Sequence, residues 1–370
     1  MNLLLLLLPA AAASATFTTG TLKTIIPWSY RPESVTAVTD GYLVGSMSPE
    51  CDDGKPIDPH SQCGGVHKVK LDGQLDTSFA NITGLSMVRG VYAPNSETLL
   101  VASQTDGGTV SRYILNATGA TLVKHISVGS LPPSGTAPAP NCICMNDDNT
   151  KAYVTIPGWN AKTWLPSGTG SGLLEIDMAT DTASMLFWNE SSVFLNGCDV
   201  EDDMVYLGNF NYPLATYNIT TRMVDTSIAW ASGLGFPAGQ GMTDNVIADG
   251  IVAYNGDLFV GMAKLAFPDD SAPTGTGNLW RCEGVLTGTV DSVACKEIAI
   301  LPVADMQLDK SGPASSRSSL VTRSKACALT QGALVTLVVA LVTLVSSAHG
   351  FSFLRFAVLA VTAVVTVVHF

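Results

Sequence analysis

The stretch Ala248-Asp249-Gly250-Ile251-Val252-Ala253-Tyr254-Asn255-Gly256-Asp257-Leu258-Phe259-Val260-Gly261 decides the fold of this chain. An acidic residue opens a short apolar strand, Asn-Gly-Asp turns the chain, and a second strand returns, which is a β-hairpin signal. The same frame recurs. Aligned on the turn, it starts at Glu33, Arg89, Asn141, Asn196, Asp249 and Asp305, with steps of 56, 52, 55, 53 and 56 residues. A near-constant period built of strands points to a propeller. The expected architecture is therefore all-β, a six-bladed β-propeller with four-stranded antiparallel blades.

Working outward from that hairpin, each frame is followed by an outer pair of strands. In repeat one the outer pair is expected at 65–70 and 75–79, around the Asp72-Gly73 turn. Repeat five has it at 278–282 and 293–301. Repeat six opens at residue 304, returns near 319–322 and then stops without an outer pair. The segment 16–26 precedes repeat one without a partner of its own. It is expected to supply an outer strand to the last blade, leaving no open sheet edge there.

The two ends carry the apolar excess of a chain with 370 residues and a net charge of −12. Six leucines from Leu3 to Leu8, followed by Ala13-Ser14-Ala15, read as a signal peptide over residues 1–15. The propeller is expected over 16–325 and a hydrophobic tail over 326–370. Within that tail, 326–345 and 351–370 are each long enough to span a bilayer. They form either a transmembrane hairpin or, with Ala314-Ser315-Ser316 and a polar spacer, a signal for a GPI anchor. Either way the propeller is expected on the extracellular face of a membrane. The acidic charge offers no basic surface for nucleic acid.

Sequons at Asn81, Asn116, Asn189 and Asn218 agree with a secretory route. The eight cysteines fit an oxidising compartment. Cys51 and Cys63 bracket the first long loop, and Cys282 and Cys295 fall on adjacent strands of blade five, so both pairs are expected to bridge. Cys142, Cys144 and Cys198 remain, leaving one of them as a thiol or joined to Cys327.

In a propeller the first strand of each blade lines the central channel, so the residues opening each repeat converge on one mouth. Oxygen ligands recurring there suit Ca²⁺ or another hard cation. The same residue types also cap turns. Arg89 and Asp305 would complete the mouth. Long loops at 48–64, 157–171 and 263–277 emerge on that face, with Trp159, Trp164, Asn209 and Tyr212 as further candidates for a pocket wall. No GxSxG or HExxH motif is present.

Pro32-Glu33, Pro140-Asn141, Leu195-Asn196-Gly197 and Ala248-Asp249-Gly250, in this order at blade spacing, resemble the SMP-30/gluconolactonase/LRE-like family. Its wider relatives include paraoxonases and strictosidine synthase-like proteins. The resemblance implies a six-bladed propeller holding a catalytic divalent ion, calcium or zinc. It implies Glu33, Asn196 and Asp249 as metal ligands, Asn141 as ligand or substrate contact, and Asp249 as general base. Two functions follow as expectations. One is a metal-dependent hydrolase of lactones or esters, tethered outside the cell. The other is a non-catalytic surface propeller that binds protein or glycan.

Overall fold

Most strands form where the frame places them. The structure, a computed structural model, describes residues 22–24, 32–46, 63–136, 139–158, 170–190, 195–208, 214–225, 246–254, 256–266, 274–283, 294–300, 306–309, 319–323 and 338–343. After a short strand β1 (Leu22–Thr24), blade one comprises β2 (Pro32–Val38), β3 (Gly41–Ser46), β4 (Gly64–Lys70) and β5 (Ile82–Leu85). Blade two comprises β6 (Gly90–Tyr92), β7 (Thr98–Ser103), β8 (Thr109–Asn116) and β9 (Gly119–Ser127). Blade three has β10 (Ile143–Met145), β11 (Lys151–Ile156), β12 (Ser171–Asp177) and β13 (Thr182–Asn189). Blade four has β14 (Cys198–Glu201), β15 (Met204–Gly208), β16 (Leu214–Asn218) and β17 (Met223–Asp225). Blade five has β18 (Val246–Tyr254), β19 (Asp257–Ala266), β20 (Thr274–Glu283) and β21 (Ala294–Ile300). Each is an antiparallel sheet whose neighbouring strands follow in chain order. The protein is an all-β propeller of antiparallel four-stranded blades.

Five blades are thus complete in themselves. A further four-stranded sheet draws on both ends of the chain: β22 (Met306–Asp309), β23 (Ser319–Arg323), β24 (Val338–Thr343) and β1 at its outer edge. Leu22 stands opposite Ala340 and Thr24 opposite Val338. The innermost strand of this sheet, β22, lies beside β18 of blade five and β2 of blade one. The N-terminal segment therefore supplies the outer strand, but the strand next to it comes from inside the first apolar run, beyond residue 325. Among the described residues no helix is long and apolar enough to cross a membrane. Residues 1–15 and the rest of both apolar runs lie outside the described residues.

The turn in the deciding stretch is as tight as Asn-Gly demands. Tyr254 faces Asp257 across it, and Gly256 has φ 84°, which a side chain would oppose. Two expectations are corrected. The outer strand of blade one is β5, at 82–85, and not 75–79. In the expected place Asp76 is buried, accepts from the N–H and hydroxyl of Ser78 at 3.1 and 2.6 Å, and meets Lys68 at 3.5 Å. These bonds fold 75–79 as a turn, and only Leu75 bridges back, to Val69. The two ends of the loop expected at 263–277 are strand, because β19 and β20 stay paired from Ala263 opposite Gly277 to Ala266 opposite Thr274, while 267–273 lie outside the described residues.

Blades pack face to face, and three apolar clusters each span two of them. Leu43, Val66 and Ile82 of blade one meet Val91, Leu99 and Val101 of blade two. Leu100 and Val110 meet Ile143, Val154 and Leu174 of blade three. Tyr153 and Leu173 meet Val205, Leu207 and Tyr217 of blade four. The middle strands are covered on both faces, which is why β3 and β7 read as apolar runs without alternation. Outer strands face solvent, as β9 does over four successive residues. Arg112 of β8 ties blade two to the β12–β13 turn, donating to Asp181 at 2.8 Å and Met178 O at 3.2 Å. Of the four sequon asparagines, Asn81 and Asn116 are exposed while Asn189 and Asn218 are half-buried.

Candidate functional site

Bonds one repeat apart join the innermost strands. Ser34 Oγ accepts from Val91 N at 3.0 Å, and Thr36 Oγ1 accepts from Ala93 N at 2.9 Å, both across 57 residues. The Cys142 thiol donates to Cys198 O at 3.7 Å across 56. A disulfide between Cys144 and Cys198 links blades three and four, with Cα atoms 5.9 Å apart. Asp199 Oδ2 accepts from Ala253 N at 2.9 Å across 54 residues. The hydroxyls one and three places after Glu33, like the carboxylate three places after Asn196, reach the next blade. The period read from the turns is thus also the step between bonded neighbours.

The residues that open the repeats lie at the head of this seam. Glu33 falls at an irregularity in the β2–β3 register, between Pro32 and Ser34, and Asp249 at the equivalent irregularity between Ala248 and Gly250. An extra residue at such a bulge leaves the ladder and re-aims its side chain. Arg89, Asn141 and Asn196 instead donate their N–H groups to Ala102, Thr155 and Gly208, at 3.0, 2.9 and 2.9 Å. The side chains of Glu33, Arg89, Asn141 and Asn196 are all buried, at 6%, 6%, 3% and 4% exposure.

Two contacts between adjacent blades order this group. Asn141 Nδ2 donates to Asn196 Oδ1 at 2.5 Å. Thr155 Oγ1 supports that pair, accepting from Cys142 N at 3.0 Å and donating to Asn196 O at 2.6 Å. Glu33 and Arg89 form the second contact, which is electrostatic. Burial pushes the Arg89 guanidinium pKa down, and the Glu33 carboxylate pushes it back up.

Gly90 shows how tightly the inner strands close. A Cβ there would lie 2.0 Å from the carbonyl oxygen of Asn141 in the next blade. The Asn141 backbone on one side and Ala102 Cβ, 3.3 Å away, leave no room for a methyl group. Gly90→Ala is expected to cost about 3 kcal/mol, the upper part of the usual overpacking range, measured as a shift in the denaturant midpoint at unchanged slope.

These donors fit a hard cation in kind. One carboxylate and two amide groups are each buried, the amides in contact, and with Nδ2 of Asn141 engaged, the remaining functional atom of that amide is its oxygen. Arg89 adds a positive charge beside Glu33 and works against a second one. Among the described residues no group of three or more His, Cys, Asp and Glu side chains is placed to hold a metal. A set at the mouth would instead combine Glu33 with asparagine oxygens and Asp249, whose side chain lies outside the described residues. So do Asp305, Trp159, Trp164, Asn209 and Tyr212.

No protein-family model matches the chain, and no curated protein matches it by sequence. Among solved structures it is similar to a gluconolactonase from Xanthomonas campestris, described as important in glucose secondary metabolic pathways. The identity is 10%, the TM-score 0.51, and the match covers 89% of this chain and 92% of that one. A computationally designed protein matches at 10% identity and TM-score 0.39, over 86% of this chain and 98% of that one. At these identities the likeness is one of fold.

Among the cysteines, the structure joins Cys144 to Cys198. Cys282 is disulfide-bonded and stands directly opposite Cys295 in register. Cys63 is disulfide-bonded as well, while Cys51 lies outside the described residues. Ser34, Thr36, Thr155 and Asp199 are site residues that sequence reasoning passed over. Their signal was available: Ser34, Thr36 and Asp199 stand one or three places after an opening residue, on the face that alternation turns toward the next blade.

Proposed function

We propose that the protein is a metal-dependent hydrolase of lactones or related esters, working at the mouth of the propeller channel. The observation that supports this reading is that Glu33, Asn141 and Asn196 are each buried where their repeats open, the two asparagines bonded to each other and Asp249 at the bulge that matches Glu33. Glu33, Asn141, Asn196 and Asp249 would hold a divalent ion, Ca²⁺ or Zn²⁺. When bound, such an ion polarises a carbonyl oxygen and lowers the pKa of water. Asp249 takes a proton from the attacking water as general base. Arg89 places a positive charge near the site, suited to the oxygen that gains negative charge as the ring opens.

In the same reading the composite sheet is the sixth blade and closes the ring. The chain passes through the secretory route and is displayed outside the cell, held by a lipid anchor or a span in its apolar tail. Exposed Asn81 and Asn116 are the sequons best placed for glycans. Similarity in fold to a gluconolactonase supports the choice of lactones as the first substrates to try.

The test uses the full chain purified in detergent, with elemental analysis followed by assays on δ-gluconolactone and aromatic lactones. One equivalent of divalent metal is expected, with hydrolysis lost on chelation and restored by adding back calcium or zinc. Metal-free protein with no turnover of either substrate would leave the non-catalytic surface propeller as the better account.

A further inference from the structure

Three cysteines crowd one point on the wall between blades three and four. Cys144 is bonded to Cys198, and the Cys142 thiol donates to the carbonyl of that same Cys198 at 3.7 Å. Cys144 lies on β10 and Cys142 immediately precedes that strand, and both pack in the same cluster as Cys198. Cys198 belongs to the facing strand. Both neighbours contact it, Cys144 through the disulfide and Cys142 at its carbonyl oxygen.

The seam geometry makes the second pairing natural. Ser34 and Cys142 are equivalent residues, each directly after an opening residue, and Val91 and Cys198 are their equivalent partners one repeat on. Ser34 Oγ approaches Val91 O at 3.5 Å, as Cys142 Sγ approaches Cys198 O at 3.7 Å. Cys144 and Cys198 are buried, but Cys142 is half-buried and next to Asn141. A thiol held beside a disulfide is the arrangement that thiol–disulfide exchange requires.

We propose that Cys142, Cys144 and Cys198 form an exchangeable relay in which Cys198 is shared between two bridges. Cys142 loses its proton, and its thiolate attacks Sγ of Cys198. The Cys142–Cys198 bond forms as the Cys144–Cys198 bond breaks, and the departing Cys144 thiolate takes up a proton. One disulfide and one thiol are present before and after, so no external oxidant or reductant enters. The exchange moves the bridge one pleat toward Asn141, whose side chain bonds Asn196. Bridge position and the arrangement of the Asn141–Asn196 pair are thereby linked.

The test labels the unmodified full chain. The protein is held at pH 6, 7 or 8, quenched over time with N-ethylmaleimide, digested without reduction and sequenced by mass spectrometry. Label is expected on Cys142 in some chains and on Cys144 in others, always with Cys198 bridged. Its appearance on Cys144 is expected to proceed at a rate independent of protein concentration. In the variant Cys144→Ser, a Cys142–Cys198 bridge is expected; in Cys142→Ser, the Cys144–Cys198 bridge alone. Label confined to Cys142 of the unmodified chain at every pH and time would overturn the relay, whether or not the variants fold. So would a folded Cys144→Ser protein with both Cys142 and Cys198 labelled.

Discussion

Asp249→Ala is expected to lower lactone hydrolysis about 10²- to 10⁴-fold, the usual contribution of a positioned general base, while the protein stays folded. Ala248 and Gly250 keep the flanking pairings of β18 with β19, and Asp249 falls between them, where the register shifts. Removing its side chain therefore takes nothing from the hydrogen-bonded ladder. A second substitution separates its two roles. Asp249→Asn keeps an oxygen that can ligate a hard cation but cannot accept the proton, so it is expected to retain metal while losing turnover. Steady-state kinetics on δ-gluconolactone with elemental analysis of each variant decides between them. Turnover unchanged in Asp249→Ala would remove Asp249 from the chemistry altogether.

The equivalence of Glu33 and Asp249 was legible because hairpins keep their register when their turns are tight. Counting six residues back from Asn255 and from Thr39, the first residues of the two turns, reaches Asp249 and Glu33, and the structure puts a bulge at each. Bonds spanning 54–57 residues then show that the period counts physical neighbours. Turn chemistry was a poorer guide where a buried charge intervened. Asp72-Gly73 does turn the chain, but Asp76 and Ser78 turn it again before the outer strand can start. Strand β5 carries no alternation that would announce it; its ends are buried and its middle exposed, with Gly84 at φ 75°.

The apolar tail carries a different ambiguity. Val338-Val339-Ala340-Leu341-Val342-Thr343 is as rich in β-branched residues as any strand in the chain, and its pairing with β23 and β1 uses that property. Set inside a longer apolar run, the same six residues also satisfy the length of a membrane span. Periodicity cannot separate the two. In the structure 338–343 is the fourth strand of the sheet that β22, β23 and β1 share.

Glu33→Ala is expected to destabilise the fold by about 3–5 kcal/mol, the range found when one partner of a buried ion pair is removed. Glu33 and Arg89 open adjacent repeats and are both buried at 6% exposure, so water cannot replace the missing carboxylate. Burial already disfavours the charged guanidinium, and Glu33 is the charge that offsets it. Replacing both partners together, as in Glu33→Leu with Arg89→Met, removes the stranded charge and is expected to recover much of the loss. Arg89→Met alone relieves the carboxylate of its protein cation, so the affinity for a divalent ion is expected to rise. Urea unfolding of the four proteins, with and without calcium, reads all of these effects. If Glu33→Ala costs under about 1 kcal/mol, in the range of exposed ion pairs, Arg89 is not balanced by Glu33. In the opposite outcome, a large cost relieved by the double replacement, the chain itself supplies the cation that holds this side of the mouth together.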